Sequence, residues 1–165
     1  MRELNPVEWA VLPLKKYADF SGRAPRAEYW WFYLGTMIVG IVCAGIDAAL
    51  GTKDVVGNVA NLALLLPWLS VTVRRLHDTD RTGWWLLAFV PIIVLVALGA
   101  AFAGMAGVSG SGATGGTIGV MIVAIIGFIA LGITMLVFMV TEGTKGDNRY
   151  GPDPYGPDNL EQVFA

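Results

Sequence analysis

Apolar residues fill four stretches of this chain, and the polar residues gather in the segments that join and flank them. A hydrocarbon core about 30 Å thick takes about 20 apolar residues as a helix. The stretches from about Tyr29 to Leu50 and from about Val55 to Val73 supply the first two spans. The sixty residues from Thr82 to Thr141 contain no Asp, Glu, Lys, Arg or His. As one helix they would extend roughly 90 Å, so they must fold back. The glycine-rich segment GMAGVSGSGATGG, Gly104–Gly116, is the natural fold point. The third span is then about Trp84–Ala103 and the fourth about Thr117–Val140. Backbone amides in lipid must bond within their own segment or in a closed barrel, and these runs lack the alternation of a barrel strand. The expected fold class is therefore all-α. Four transmembrane helices within residues 29–140 form a polytopic membrane protein, flanked by a segment 1–28 and a tail 141–165.

The second span is the least regular, with Asn58, Asn61 and Pro67 inside it, and a re-entrant hairpin is its alternative form. Pro67 removes a backbone hydrogen bond and is expected to kink the helix. Asp47 is the only charge inside any span. It reads as a boundary residue that reaches water or Lys53, in preference to a proton relay. Gly40, Ala44 and Ala48, and Gly99 and Ala103, recur at four-residue spacing. Such rows let helix backbones approach closely.

The basic residues set the orientation. With both termini in the cytoplasm (N-in/C-in), ten of the eleven Lys and Arg residues lie inside and only Lys53 outside. Two loops of equal length make the sharper comparison: Arg74–Gly83 carries three arginines and Gly107–Gly116 carries none. That asymmetry follows the positive-inside rule. Tyr29, Trp30, Trp31, Trp84 and Trp85 begin spans at the same boundary, where amphipathic rings prefer to sit. The stretch Asn5–Phe20 mixes apolar residues with Lys15 and Lys16 and reads as a short amphipathic element on the inner surface, interrupted at Pro13.

Composition agrees with a membrane protein: 55% of residues are hydrophobic and 15% charged, against about 25% charged in soluble domains. A net charge of −2 gives no pull toward nucleic acid, and no nucleic-acid partner is expected. The single cysteine, Cys43, lies in an apolar run, so no intramolecular disulfide can form. The polar, proline-containing first 28 residues show no removable signal peptide, and the first span is expected to direct insertion itself.

Three polar segments abut the inner ends of the spans: GRAPRAEYWW (Gly22–Trp31), RRLHDTDRTGWW (Arg74–Trp85) and EGTKGDNRYGPDP (Glu142–Pro154). In order they supply Phe20, Gly22, Arg23, Arg26, Glu28, Tyr29 and Trp30; then Arg74, Arg75, Leu76, His77, Asp78, Arg81, Gly83, Trp84 and Trp85; then Gly143, Gly146, Asn148, Tyr150, Gly151 and Pro154. This set resembles the bacterial inner-membrane family called domain of unknown function 805, over roughly residues 16–155. Asp80 departs from the pattern where glycine is expected, which puts the geometry of that loop in question. The resemblance implies a bacterial plasma-membrane location and no particular activity, substrate or cofactor.

The chemistry of the three segments leaves several readings open. Arg23, Arg26, Arg74, Arg75 and Arg81 could form a basic collar for anionic lipid headgroups or a phosphate ligand, since guanidinium groups hold phosphates in a two-pronged way. Near an anionic leaflet each basic residue contributes about 1 kcal/mol. The plainer reading pairs these arginines with Glu28, Asp78, Asp80 and Asp147. His77, the only histidine, could join Asp78, Asp80, Glu28 and Asp147 in a metal site or acid–base pair. A zinc site usually needs three or four protein ligands. The favoured role for His77 is a structural bond across the loop to Glu28 or to a tail carbonyl. The glycines of the tail, with Asp147 and Asn148, form a turn cluster that caps the helices and do not fit a phosphate loop. The leading expectation is a non-enzymatic scaffold or binding module, with no catalytic, metal or cofactor-binding residue assigned. Its partners would be the lipid bilayer, anionic headgroups, and a membrane protein or a second copy of the chain. A small transporter or channel is one alternative, and an enzyme acting on a lipid headgroup through His77 and Asp78 is another.

Overall fold

The computed structural model describes residues 5–108 and 115–156. They form five α-helices: α1 (Pro6–Lys15), α2 (Arg26–Leu50), α3 (Val55–Asp78), α4 (Phe89–Val108) and α5 (Gly115–Val140), with a 3-10 segment Gly83–Ala88 leading into α4. Among the described residues there is no strand, only an isolated bridge between Asn148 and Gly151. Four helices are long and apolar enough to cross a membrane: Arg26–Leu50, Val55–Asp78, Gly83–Met105 and Ile118–Val140.

The chain divides into two compact units. The first comprises residues 1–82 and 141–165, in which α1 packs on both α2 and α3 and these two pack on each other. The second comprises residues 83–140, in which α4 packs on α5.

α1 starts at a reciprocal capping box. Asn5 Oδ1 accepts from the Glu8 amide at 2.8 Å, and the Glu8 carboxylate accepts from the Asn5 amide at 3.0 Å. The helix continues through Pro13, where an interruption was expected, and buries Leu12 and Pro13. α3 likewise runs unbroken through Pro67, as one continuous helix with no re-entrant hairpin. Proline has no amide hydrogen to bond the carbonyl four residues before it. That carbonyl, on Ala63, instead accepts the Tyr17 hydroxyl at 2.6 Å. Ser70 Oγ donates to the Lys16 carbonyl at 3.2 Å, satisfying one group at the end of α1.

At the opposite end of the α2–α3 pair, Asp47 does not reach water or Lys53. It is buried, and its carboxylate accepts from the Thr52 hydroxyl and from the amides of Val56 (3.0 Å) and Gly57 (2.9 Å). Asp54, which precedes α3, makes no side-chain cap, so Asp47 satisfies the amides that open α3 from the preceding helix.

Several element bounds differ from the expectation, among them the start of α2, which is Arg26 and not Tyr29. α3 extends to Asp78, so Arg74, Arg75, His77 and Asp78 lie in its last turns and not in a loop. Gly83–Ala88 is 3-10, and the α-helix of the third span begins at Phe89, shortly before Pro91. Helix α4 runs to Val108 and α5 starts at Gly115, so much of the expected fold point is helical, while its centre, 109–114, lies outside the described residues.

Candidate functional site

The last turn of α3, the segment before α2 and the segment after Val140 meet around one carboxylate. Asp78 accepts from Arg23 Nε at 2.9 Å through Oδ1 and from Arg75 Nη1 through Oδ2. Both guanidiniums are almost completely buried, as is Asp78 itself. Two cations on one anion leave an excess positive charge, and the tail supplies the compensation as carbonyl dipoles. Arg23 donates to the Gly146 carbonyl at 2.7 Å and to the Thr144 carbonyl at 2.5 Å, and Arg75 donates to the Thr141 carbonyl. Charge-assisted bonds of this kind are stronger than neutral ones, and burial removes the water that would otherwise compete.

The backbone joins the same knot. The Thr144 amide donates to the Asp78 carbonyl at 2.8 Å, and the Ala24 amide donates to the Arg74 carbonyl at 3.0 Å. Asn148 Nδ2 donates to the His77 carbonyl and to Thr144 Oγ1, both at 2.9 Å. These bonds take up the carbonyls that a helix C-terminus leaves without partners. Arg75 and His77 also lie where the α3 dipole favours positive charge.

Beside the knot, Arg74 Nη1 stands 2.7 Å from Glu28 Oε1, with the two side chains 1% and 0% exposed. The contact is an ion pair without hydrogen-bond alignment, and Glu28 Oε2 and Arg74 Nε and Nη2 have no hydrogen-bond partner among the described residues. Breaking such a pair by removing one member costs about 3–5 kcal/mol, because the other charge stays buried.

His77 does bridge segments, through different partners from those expected. Its Nδ1 lies 3.2 Å from the Gly22 carbonyl, not at Glu28 or a tail carbonyl. Its ring stacks on Tyr150 of the tail, with centroids 3.9 Å apart and planes 2° apart. The Arg149 guanidinium covers the Tyr150 ring at 4.9 Å and pairs with Asp80 at 3.0 Å. Asp80 has a φ of +56°, the left-handed conformation in which glycine is least strained. This is the loop position where glycine was expected. Arg81 donates to the Thr79 carbonyl at 3.1 Å.

The proposed collar is thus distributed unevenly. Arg23, Arg74 and Arg75 are buried within the protein, whereas Arg26 is partly exposed and pairs with Glu142 at 3.1 Å. Asp147 accepts from the Asp153 amide at 3.3 Å and forms no ion pair with an arginine among the described residues. No three of the described His, Cys, Asp and Glu residues converge as a metal-binding group. Ser21 bonds Asp19, and Ser70 bonds the Lys16 and Pro67 carbonyls; Ser109 and Ser111 lie outside the described residues.

Above the knot opens a cleft of about 230 Å³, lined by Arg23, Arg26, Asp78, Glu142, Lys145 and Tyr155 among others. At its rim burial works against the Asp153 carboxylate, but amides of Tyr155 and Gly146 and the positive Arg23 hold its pKa below the usual range. Burial, and then the Asp78 charge, push the Tyr155 phenol above its ordinary value. The sequence reading missed Thr144, Tyr150, Arg149, Glu142 and Tyr155 as parts of the site. Tyr150 alone carried a signal, as a position of the family pattern.

Comparison with known proteins finds a family of membrane proteins that the chain matches. The family described as Protein of unknown function (DUF805) matches residues 17–152, from the turn after α1 into the tail. Inner membrane protein YhaI of Escherichia coli (strain K12) is 38% identical over 150 residues, covering 90% of this chain and 96% of that protein. Inner membrane protein YhaH of the same organism is 32% identical over 153 residues, covering 90% and 97%. YiiR, described as an uncharacterized protein, is 31% identical over 136 residues, covering 82% and 85%. No solved structure matches the chain.

Proposed function

This chain belongs to the DUF805 family of membrane proteins, and on that premise we propose that it is a non-enzymatic scaffold of the bacterial inner membrane. It presents a tied, ordered surface at the cytoplasmic ends of its helices, with both termini on that side. One observation carries the reading: the carboxylate of Asp78 holds Arg23 and Arg75 while both arginines grip carbonyls of the returning tail. Arg23, Arg74 and Arg75 are held inside the protein. The His77 ring is covered by Tyr150 and its Nδ1 faces a carbonyl, which favours a structural role over acid–base chemistry. The arginine-rich ends and the positive-inside rule support the cytoplasmic assignment. The tail returns to the same end at which α2 starts and α3 stops, which supports a shared side for both termini.

Tryptic cleavage at Lys145 and Arg149 in inverted membrane vesicles tests both parts. The wild-type tail should resist, and an Arg23→Ala variant that inserts normally should be cut at least several-fold faster. Equal cleavage of the two would remove the clasp. Cleavage only in right-side-out vesicles, together with a reporter after Ala165 that is active only in the periplasm, would reverse the orientation.

A further inference from the structure

The clasp leaves charges of both signs around the cleft above it. On its floor Arg23 and Asp78 are already committed to each other. Across its mouth Arg26 Nη2 meets Glu142 Oε1 at 3.1 Å, with the side chains 43% and 70% exposed. An ion pair that open to solvent contributes about 0–1 kcal/mol, so it yields readily to a better partner on each side. Lys145 projects at the same rim and forms no ion pair among the described residues. Asp153 and the Tyr155 ring complete the wall.

We propose that this cleft binds a zwitterion carrying a phosphate and a primary ammonium a few bonds apart, of the phosphoethanolamine type. The phosphate takes Arg26 and Lys145, and the ammonium takes Glu142, with Asp153 behind it. The exchange replaces one exposed ion pair by two. A purely anionic ligand would leave Glu142 and Asp153 facing its charge, and a quaternary ammonium would offer them no N–H donor. At about 230 Å³ the cleft is smaller than the roughly 300–1,000 Å³ of pockets for drug-sized ligands, and it suits a headgroup. Its place in the chain suits a lipid as the source, because Arg26 opens α2 just before Tyr29, Trp30 and Trp31, the residue types that settle at the headgroup level. The lipid arm rests on the membrane placement proposed above. A reversed orientation would move the site to the other leaflet without abolishing binding, so the two failures are distinguishable.

The test uses the full-length protein reconstituted into vesicles of equal parts phosphatidylethanolamine, phosphatidylglycerol and phosphatidylcholine with matched acyl chains. After gentle detergent extraction, retained lipid is counted by mass spectrometry. Phosphatidylethanolamine should be enriched at least about threefold over both others. Lys145→Ala should lower phosphatidylethanolamine and phosphatidylcholine retention alike, whereas Glu142→Gln should abolish only the preference between them. Both sites are exposed, and an unchanged melting temperature confirms the fold of each variant. Displacement of retained lipid by millimolar soluble phosphoethanolamine would identify a free solute as a sufficient ligand; no displacement, with the enrichment intact, would identify the lipid. Equal retention of the three lipids, a preference for phosphatidylglycerol, or enrichment that survives the double variant would overturn the proposal.

Discussion

The two units hold their helices together by different physics. In residues 83–140, apolar contacts join the elements: Phe89 of α4 edge-on to Phe128 of α5 at 5.6 Å, Met121 against Gly99, and Trp85 of the 3-10 segment edge-on to Phe138 at 5.2 Å. In the other unit, α2 and α3 are fixed at both ends by carboxylates. Asp47 takes the opening amides of α3, and Asp78 takes Arg23 and Arg75. Lipid tails are as apolar as leucine, so apolar contact gives a helix pair little preference for one register over another. A buried ion pair costs desolvation, but it permits one register only. The contrast teaches that specificity is concentrated in the first unit, at the ends of its helices.

The largest blow to that contrast is Asp78→Ala. It strands two buried guanidiniums, and removing one partner of a buried pair costs about 3–5 kcal/mol. The unfolding midpoint of the full-length protein in detergent should fall accordingly. Hydrogen exchange should speed up in 70–82 and 141–156 while 116–140 keeps its protection. If protection fell equally in both units, the division of labour would be wrong.

Next in size is Gly143→Ala. A Cβ there would stand 2.6 Å from Asp78 Cγ, and Asp78 is pinned by two arginines and cannot swing aside. Overpacking of this kind costs about 1–3 kcal/mol. Loss of tail protection with α2 and α3 otherwise intact is the expected signature, read by the same exchange experiment. A variant as stable as wild type would mean the tail can lift away from Asp78 at no cost. Smaller again is Tyr17→Phe. It removes the donor to the carbonyl that Pro67 leaves unpaired, and one hydrogen bond contributes about 1 kcal/mol. The midpoint should drop by that amount, and an unchanged midpoint would mean another donor replaces the hydroxyl.

The spans were legible because lipid imposes long apolar runs whatever the sequence does elsewhere. The end of α3 was not. Arg-Arg-Leu-His-Asp reads as a loop when its charges are imagined in water, yet here they continue the helix because each finds a partner. Those partners include Arg23, 55 residues before Asp78, and the Thr141 carbonyl, 66 residues after Arg75. Pairings that distant leave no local periodicity. Asp47 misled for a similar reason: a carboxylate near a span's end looks destined for water, and the amides it serves belong to the next helix. One local departure could be read directly: Pro67 marked a missing backbone bond. Asp80 in place of the expected glycine only put its loop in question, and the structure shows a left-handed turn there. In the candidate site, the residue types of the three segments were visible, but the split between buried arginines and the partly exposed Arg26 follows only from packing.

The smallest effect is expected from the counterpart of Gly143→Ala in the apolar unit. Gly127 lies inside α5, and a Cβ there would meet Ile92 Cδ1 at 3.7 Å, an ordinary van der Waals contact with a side-chain tip that can move. Alanine is favoured over glycine in a helix interior by up to about 1 kcal/mol. Glycine earns its place in membrane helices where backbones must touch, and no such approach exists at this position. Gly127→Ala should therefore leave the unfolding midpoint unchanged or raise it slightly, with unaltered exchange in both units. A loss of more than about 1 kcal/mol would mean that α4 and α5 also depend on one close-fitted register, and the difference between the two units would shrink to the presence of charge.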